Sequence, residues 1–126
     1  MKKILIIDDQ AENVFYLQDR LQKEGFEVIS ANSGRTGIEA ALTQSPDLIL
    51  LDIMMPQMDG FETIKRIRKD NRFSKLPVIA LTAYAMLDNK NVIEKNGFND
   101  LVTKPINFQT LSAKITKYLS EAPRIL

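Results

Sequence analysis

Residues 48–52 read Leu-Ile-Leu-Leu-Asp, four aliphatic residues in a row stopped by an aspartate. A strand with one face toward water alternates apolar and polar residues. An unbroken aliphatic run suits a strand covered on both faces, as in a parallel sheet. The pattern recurs on either side, in ILII (4–7) before Asp8 and Asp9, and in VIAL (78–81) before Thr82. FEVIS (26–30) and DLVT (100–103) complete a set of five predicted strands.

Helical spacing fills the gaps. Val14, Leu17 and Leu21 predict a first helix, stopped by Gly25. Ser33 can cap a second that carries Ile38, Ala41 and Leu42 and ends before Pro46. Phe61, Ile64 and Ile67 predict a third after Gly60, and Met86, Val92 and Ile93 a fourth closed by Gly97. Phe108, Leu111, Ile115 and Leu119 predict a fifth, capped by Asn107. Five strand–helix units predict a single doubly wound α/β domain with right-handed crossovers. The expected domain spans residues 1–121, with 122–126 as a short tail.

Composition excludes several classes. The chain has 126 residues, 44% of them hydrophobic and 26% charged, with a net charge of +1, which argues against disorder and against a field of one sign drawing nucleic acid or membrane. With no Cys and no His, thiolate and imidazole catalysis and Cys- or His-ligated metals are excluded. Asp8 and Asp9 cut the first apolar run short of a signal peptide, and no stretch reaches the ~20 apolar residues of a membrane span. The expected location is the cytoplasm.

In an open α/β sheet, ligands collect beyond the carboxyl ends of the strands. Those ends carry Asp8 and Asp9, Asp52, Thr82, and Lys104 followed by Pro105. Singly, each has an ordinary reading: a helix cap, a turn residue, a β-branched strand residue, a solvated lysine. Together they form a set no common structural need demands. Carboxylates ~4 Å apart repel by ~4 kcal/mol per ionised pair at an effective dielectric of ~20. A proton or a hard cation must therefore join them, and an all-oxygen site with room for water suits Mg²⁺. A carboxylate held between Mg²⁺ and a lysine is placed to attack phosphorus, with metal, Lys104 and Thr82 facing the transferred oxygens.

These residues, in IIDDQ (6–10), LLDIMMPQMDG (50–60), ALTA (80–83) and TKP (103–105), resemble the two-component response-regulator receiver domain over residues 2–120. The resemblance implies the strand order 2-1-3-4-5, a flavodoxin-like or CheY-like fold. It implies that Asp52 accepts a phosphoryl group from a histidine kinase or histidine phosphotransfer protein. Asp8, Asp9, Asp52 and the Met54 backbone carbonyl would hold Mg²⁺, Thr82 and Lys104 would contact the phosphoryl oxygens, and the Lys104–Pro105 peptide would be cis. It also implies a stand-alone switch that catalyses only its own phosphorylation and dephosphorylation, without acting as an enzyme on an external metabolite. The downstream protein target would dock on the fourth helix, fifth strand and fifth helix, roughly residues 86–120.

The sequence departs from the family at Leu101, where an aromatic residue usually stands. Met54 and Tyr84, bulky and without acid or amide, lead to an expectation of slow self-dephosphorylation. Rival readings are weaker. An aspartyl phosphatase needs an acid where Met54 stands, a flavin carrier needs a Ser/Thr/Gly loop where DDQAEN stands, and no GxxxxGK[ST] or GxGxxG nucleotide motif occurs. The basic run Lys65, Arg66, Arg68, Lys69, Arg72, Lys75 reads as the solvated face and cationic end of the third helix, so no direct nucleic-acid contact is expected. A receiver fold used for phosphate-independent docking, or as a relay intermediate or phosphate sink, is the alternative reading.

Overall fold

Alternate residues of the aliphatic strands serve two separate cores, which is why the runs are unbroken. Strands β1 (Lys3–Ile7), β2 (Glu27–Ala31), β3 (Leu48–Asp52), β4 (Val78–Thr82) and β5 (Asp100–Thr103) form one parallel sheet in the order 2-1-3-4-5. Helices α1 (Ala11–Lys23), α2 (Gly34–Gln44), α3 (Gly60–Arg68), α4 (Lys90–Lys95) and α5 (Phe108–Ser120) connect and follow them, with a 3₁₀ turn at Asn71–Phe73. The computed structural model describes residues 1–83 and 90–120. The expected helical residue Met86, the position Tyr84 and the tail 122–126 lie outside the described residues. One face of the sheet sends Leu5, Ile7, Ile49, Leu51, Val78 and Ala80 against α2, α3 and α4. The other sends Ile4, Ile6, Leu48, Leu50, Ile79 and Leu81 against α1 and α5. All twelve are buried.

Local signals act much as the sequence implies. The Ser33 side chain accepts a hydrogen bond from Thr36 N, and Asn107 Oδ1 accepts from Thr110 N. Gly25 and Gly97 follow α1 and α4 with φ of +94° and +96°, a region that favours glycine. Three details differ. β2 begins at Glu27, and Phe26 instead packs, half-buried, beside the α1/α5 core. Leu42 is not a core residue but 41% exposed. Gly37 and Ala41 face the sheet, because Gly37 lets α2 lie directly on Ile7, and Leu42 is then rotated about 100° away; Gly34 lies instead against Met58 and Thr63. Arg68 is not part of a solvated face, as developed below.

Gly60 fixes the entry of α3 beside the end of β3. Its N–H donates to Ile53 O at 2.8 Å, and a Cβ there would lie 2.6 Å from Ile53 Cα and 2.7 Å from Asp52 O. Backbone cannot yield as a side-chain tip can. Gly60→Ala is therefore expected to cost about 2–3 kcal/mol in urea denaturation, through overpacking rather than lost contacts.

Candidate phosphoacceptor and metal site

Parallel pairing brings the strand ends to one edge. Ile7 is level with Leu51, so Asp8 and Asp52 extend one residue beyond adjacent strand positions. Asp52 is level with Leu81, and Thr82 with Thr103, just before Lys104. Backbone hydrogen bonds continue past the strands: Asp8 N to Ala31 O, Ile53 N to Leu81 O, and Lys104 N to Thr82 O at 2.7 Å.

Asp8, Asp52 and Thr82 are buried, at 0%, 2% and 0% exposure, and Asp9 is exposed. The Lys104 ammonium lies 3.3 Å from Asp8 Oδ2 and 3.3 Å from Asp52 Oδ2. The other oxygens are held by main chain: Asp8 Oδ1 accepts from Gln10 N at 2.9 Å, and Asp52 Oδ1 from Met54 N at 3.2 Å. Asp8 thus does not cap α1, whose N-cap residue is Gln10. The Lys104–Pro105 peptide is cis. Burial, and then the charge of Asp8, push the Asp52 carboxyl from 3.8 up to about 6, against the opposing pull of Lys104 and the Met54 N–H.

One oxygen from each of Asp8, Asp9 and Asp52 falls within 4.8 Å of the others. The donors are all hard oxygens, two residues are buried, and one side opens to water, so the set fits Mg²⁺. A divalent ion would also offset the charge that raises Asp52. Beside it runs a cleft of about 610 Å³, lined by Asp8, Asp9, Val14, Phe15 and Thr36 among others.

The sequence matches the response regulator receiver domain family over residues 4–116. The chain belongs to this family. The receiver is 33% identical over 121 residues to the polar-differentiation response regulator DivK of Brucella ovis, covering 96% of this chain and 98% of DivK. It superposes on the chemotaxis protein CheY4 of Vibrio cholerae with a TM-score of 0.87 at 30% identity, covering 94% and 98% of the two chains. It also resembles the response regulator TrrA of Thermotoga maritima, solved in complex with Mg²⁺-BeF, with a TM-score of 0.83 at 32% identity over 94% and 99%. It is thus a response-regulator receiver of two-component signalling with a CheY-like fold.

Sequence reasoning reached the receiver's acids, Thr82 and Lys104, but missed two features of the rim. Gln10, directly after the acid pair, places Oε1 3.4 Å from Lys104 Nζ. Phe15, next to a helical apolar stripe it does not share, is 75% exposed in the cleft. The position after Asp9 was a signal for the first; no periodicity could signal the second. No helix among the described residues is long and apolar enough to cross a membrane.

Proposed function

We propose that Asp52 accepts a phosphoryl group from the phosphohistidine of a partner histidine kinase or phosphotransfer protein, in a Mg²⁺-dependent reaction that switches protein contacts. The observation that carries this reading is the Lys104 ammonium shared at 3.3 Å by Asp8 and Asp52, beside a three-carboxylate cluster. An Asp52 oxygen forms a bond to phosphorus while the phosphorus–nitrogen bond breaks, and the leaving imidazole takes a proton from solvent. Asp8, Asp9, Asp52 and the Met54 carbonyl are the residues to hold Mg²⁺, which when bound supplies positive charge against the carboxylates and the phosphoryl oxygens. Lys104 neutralises a transferred oxygen, and Thr82 donates a hydrogen bond to another. The chain's lack of histidine requires the donor imidazole to come from elsewhere. Phe15, exposed in the cleft beside Asp8 and Asp9, offers the donor an apolar contact near the reacting atoms.

The receiver turns over only its own phosphoryl group, so it is not an enzyme toward a metabolite, and its place is the cytoplasm. Its downstream target binds α4, β5 and α5. Their described part holds a cleft of about 330 Å³ that includes Ile93, Leu101, Lys114 and Tyr118. Leu101 is packed into the core with Ile93 and Phe98. Over it, Lys114 Nζ donates to Asp100 Oδ1 and Leu101 O, both at 2.8 Å, and the Tyr118 hydroxyl donates to Asn99 O at 2.8 Å. Where the family usually has an aromatic ring on β5, this chain has Leu101 beneath these α5–β5 hydrogen bonds.

The test is incubation with acetyl phosphate, with Mg²⁺ or with EDTA, followed by Phos-tag electrophoresis. A shifted band that requires Mg²⁺ is expected. An unshifted band from a protein with native circular dichroism would overturn this reading in favour of phosphate-independent docking.

A further inference from the structure

The Lys104 ammonium donates hydrogen bonds to Asp8 Oδ2 and Gln10 Oε1 and forms an ion pair with Asp52 Oδ2, so among the described residues three oxygens lie within 3.4 Å of its three N–H groups. All three oxygens crowd the ammonium before any substrate arrives. A lysine in this state can meet a phosphoryl oxygen only by releasing one acceptor. Two of the three are buried carboxylates, whose release would leave negative charge unopposed. The third is neutral, exposed and the most distant, at 3.4 Å.

Gln10 is held in place for such a role. Its N–H donates to Asp8 Oδ1 at 2.9 Å, and its carbonyl accepts from Asn13 N and Val14 N at 3.1 and 3.2 Å, so its main chain is tied both to the acid pair and to α1. Asn13 Nδ2 donates to the same Oε1 that faces Lys104. Two donors on one oxygen fix which way the carboxamide points. They also leave Oε1 anchored by Asn13 when Lys104 lets go. As the N-cap residue of α1, Gln10 makes no side-chain cap to its own helix. Its Oε1 instead bridges the Asn13 side chain of α1 and the Lys104 ammonium.

We propose that Gln10 is a positioning residue: its Oε1 stands in for the incoming phosphoryl oxygen, keeping the third donor of Lys104 aimed at the mouth of the site until the phosphoryl group displaces it. The proposal rests on Asp52 phosphorylation and adds how the lysine is presented. It predicts opposite behaviour for two substitutions. Gln10→Ala removes the stand-in and lets the ammonium swing. Gln10→Glu replaces a weak acceptor by a charged one that the lysine does not readily leave.

The experiment combines two readouts on each variant. The first is the rate of labelling by acetyl phosphate at saturating donor and Mg²⁺. The second is the ¹⁵Nζ signal of Lys104 in the unphosphorylated protein, recorded with and without Mg²⁺, which needs no phosphorylation at all. Gln10→Ala is expected to broaden the Lys104 signal and slow labelling about three- to tenfold, with the Mg²⁺ midpoint unchanged. Gln10→Glu is expected to sharpen that signal yet slow labelling more than tenfold. Wild-type rates and an unchanged Lys104 signal in both variants would overturn the proposal. So would a weakened Mg²⁺ midpoint in Gln10→Ala, which would assign the residue to metal holding. If the parent itself takes no label while the Lys104 signal responds as described, the failure belongs to the phosphorylation reading and not to the contact.

Discussion

Asp52→Asn is expected to yield a protein that takes up no phosphoryl group and yet resists urea better than its parent at pH 7.5 in EDTA. Asparagine keeps the shape of the side chain and removes the charge. In the folded parent, burial and the nearby Asp8 move the Asp52 carboxyl from 3.8 to about 6. A carboxyl with a raised folded value binds its proton more tightly in the native state than in the unfolded one. Its contribution to stability is therefore full below pH 3.8 and is lost as pH rises through about 6. That displacement corresponds to about 3 kcal/mol once the group is ionised. The opposing pull of Lys104 is already contained in that displacement, and the asparagine amide must itself be satisfied in the buried site, so the expected net gain at pH 7.5 is about 1–3 kcal/mol. The gain should shrink toward zero near pH 4, where the parent carboxyl is protonated. Saturating Mg²⁺ should narrow the difference as well, since an ion that binds the native parent stabilises it by mass action. Urea titrations at pH 4 and 7.5, with EDTA or Mg²⁺, read all four conditions. An Asp52→Asn protein less stable than the parent at pH 7.5 in EDTA would show that the site's negative charge is not a burden on the fold.

Arg68→Ala should be the most destabilising change in the basic run, by about 2–4 kcal/mol, whereas Lys69→Ala should stay within about 0.5 kcal/mol. All five guanidinium N–H groups of Arg68 are used. Nε and Nη2 donate to Gly97 O, Nη2 also to Asn99 Oδ1, and Nη1 to Phe73 O and Leu76 O. Asn99 Oδ1 in turn accepts from Val78 N at 2.8 Å, at the first residue of β4. One side chain thus ties the end of α3 to the 3₁₀ turn, to the start of β4 and to the α4–β5 turn. Its acceptors are neutral, and burial lowers its proton affinity without a carboxylate to oppose this. Arg68→Lys keeps the charge but cannot span four acceptors in two directions, so it should recover less than half of the loss. Equal urea midpoints for Arg68→Ala and Lys69→Ala would refute the assignment.

The acid pair, Asp52, Thr82 and Lys104 could be placed together from the chain alone because each ends a strand or lies within two residues of its last residue, and parallel strands deliver such ends to one edge. The placements of Leu42 and Arg68 are not legible in the sequence. Periodicity finds a helix face but not which of two neighbouring stripes meets the sheet, and a charged residue in a polar run carries no mark of burial. Phe15 is equally silent in the sequence, since an apolar residue off the stripe has no partner there to reveal it.

What the amino-acid order determined by itself was local or periodic: five buried strands, the caps at Ser33 and Asn107, the glycine stops, and the rim on which the chemistry stands. These follow from side-chain chemistry and spacing within a few residues. What only the tertiary structure decided joins residues far apart in the chain: the single ammonium of Lys104 shared by Asp8, Asp52 and Gln10, and the five hydrogen bonds of Arg68. Hydrogen bonds and ion pairs are decided by ångström-scale approach between elements, and that approach is set by how helices pack on a sheet, which no local pattern encodes.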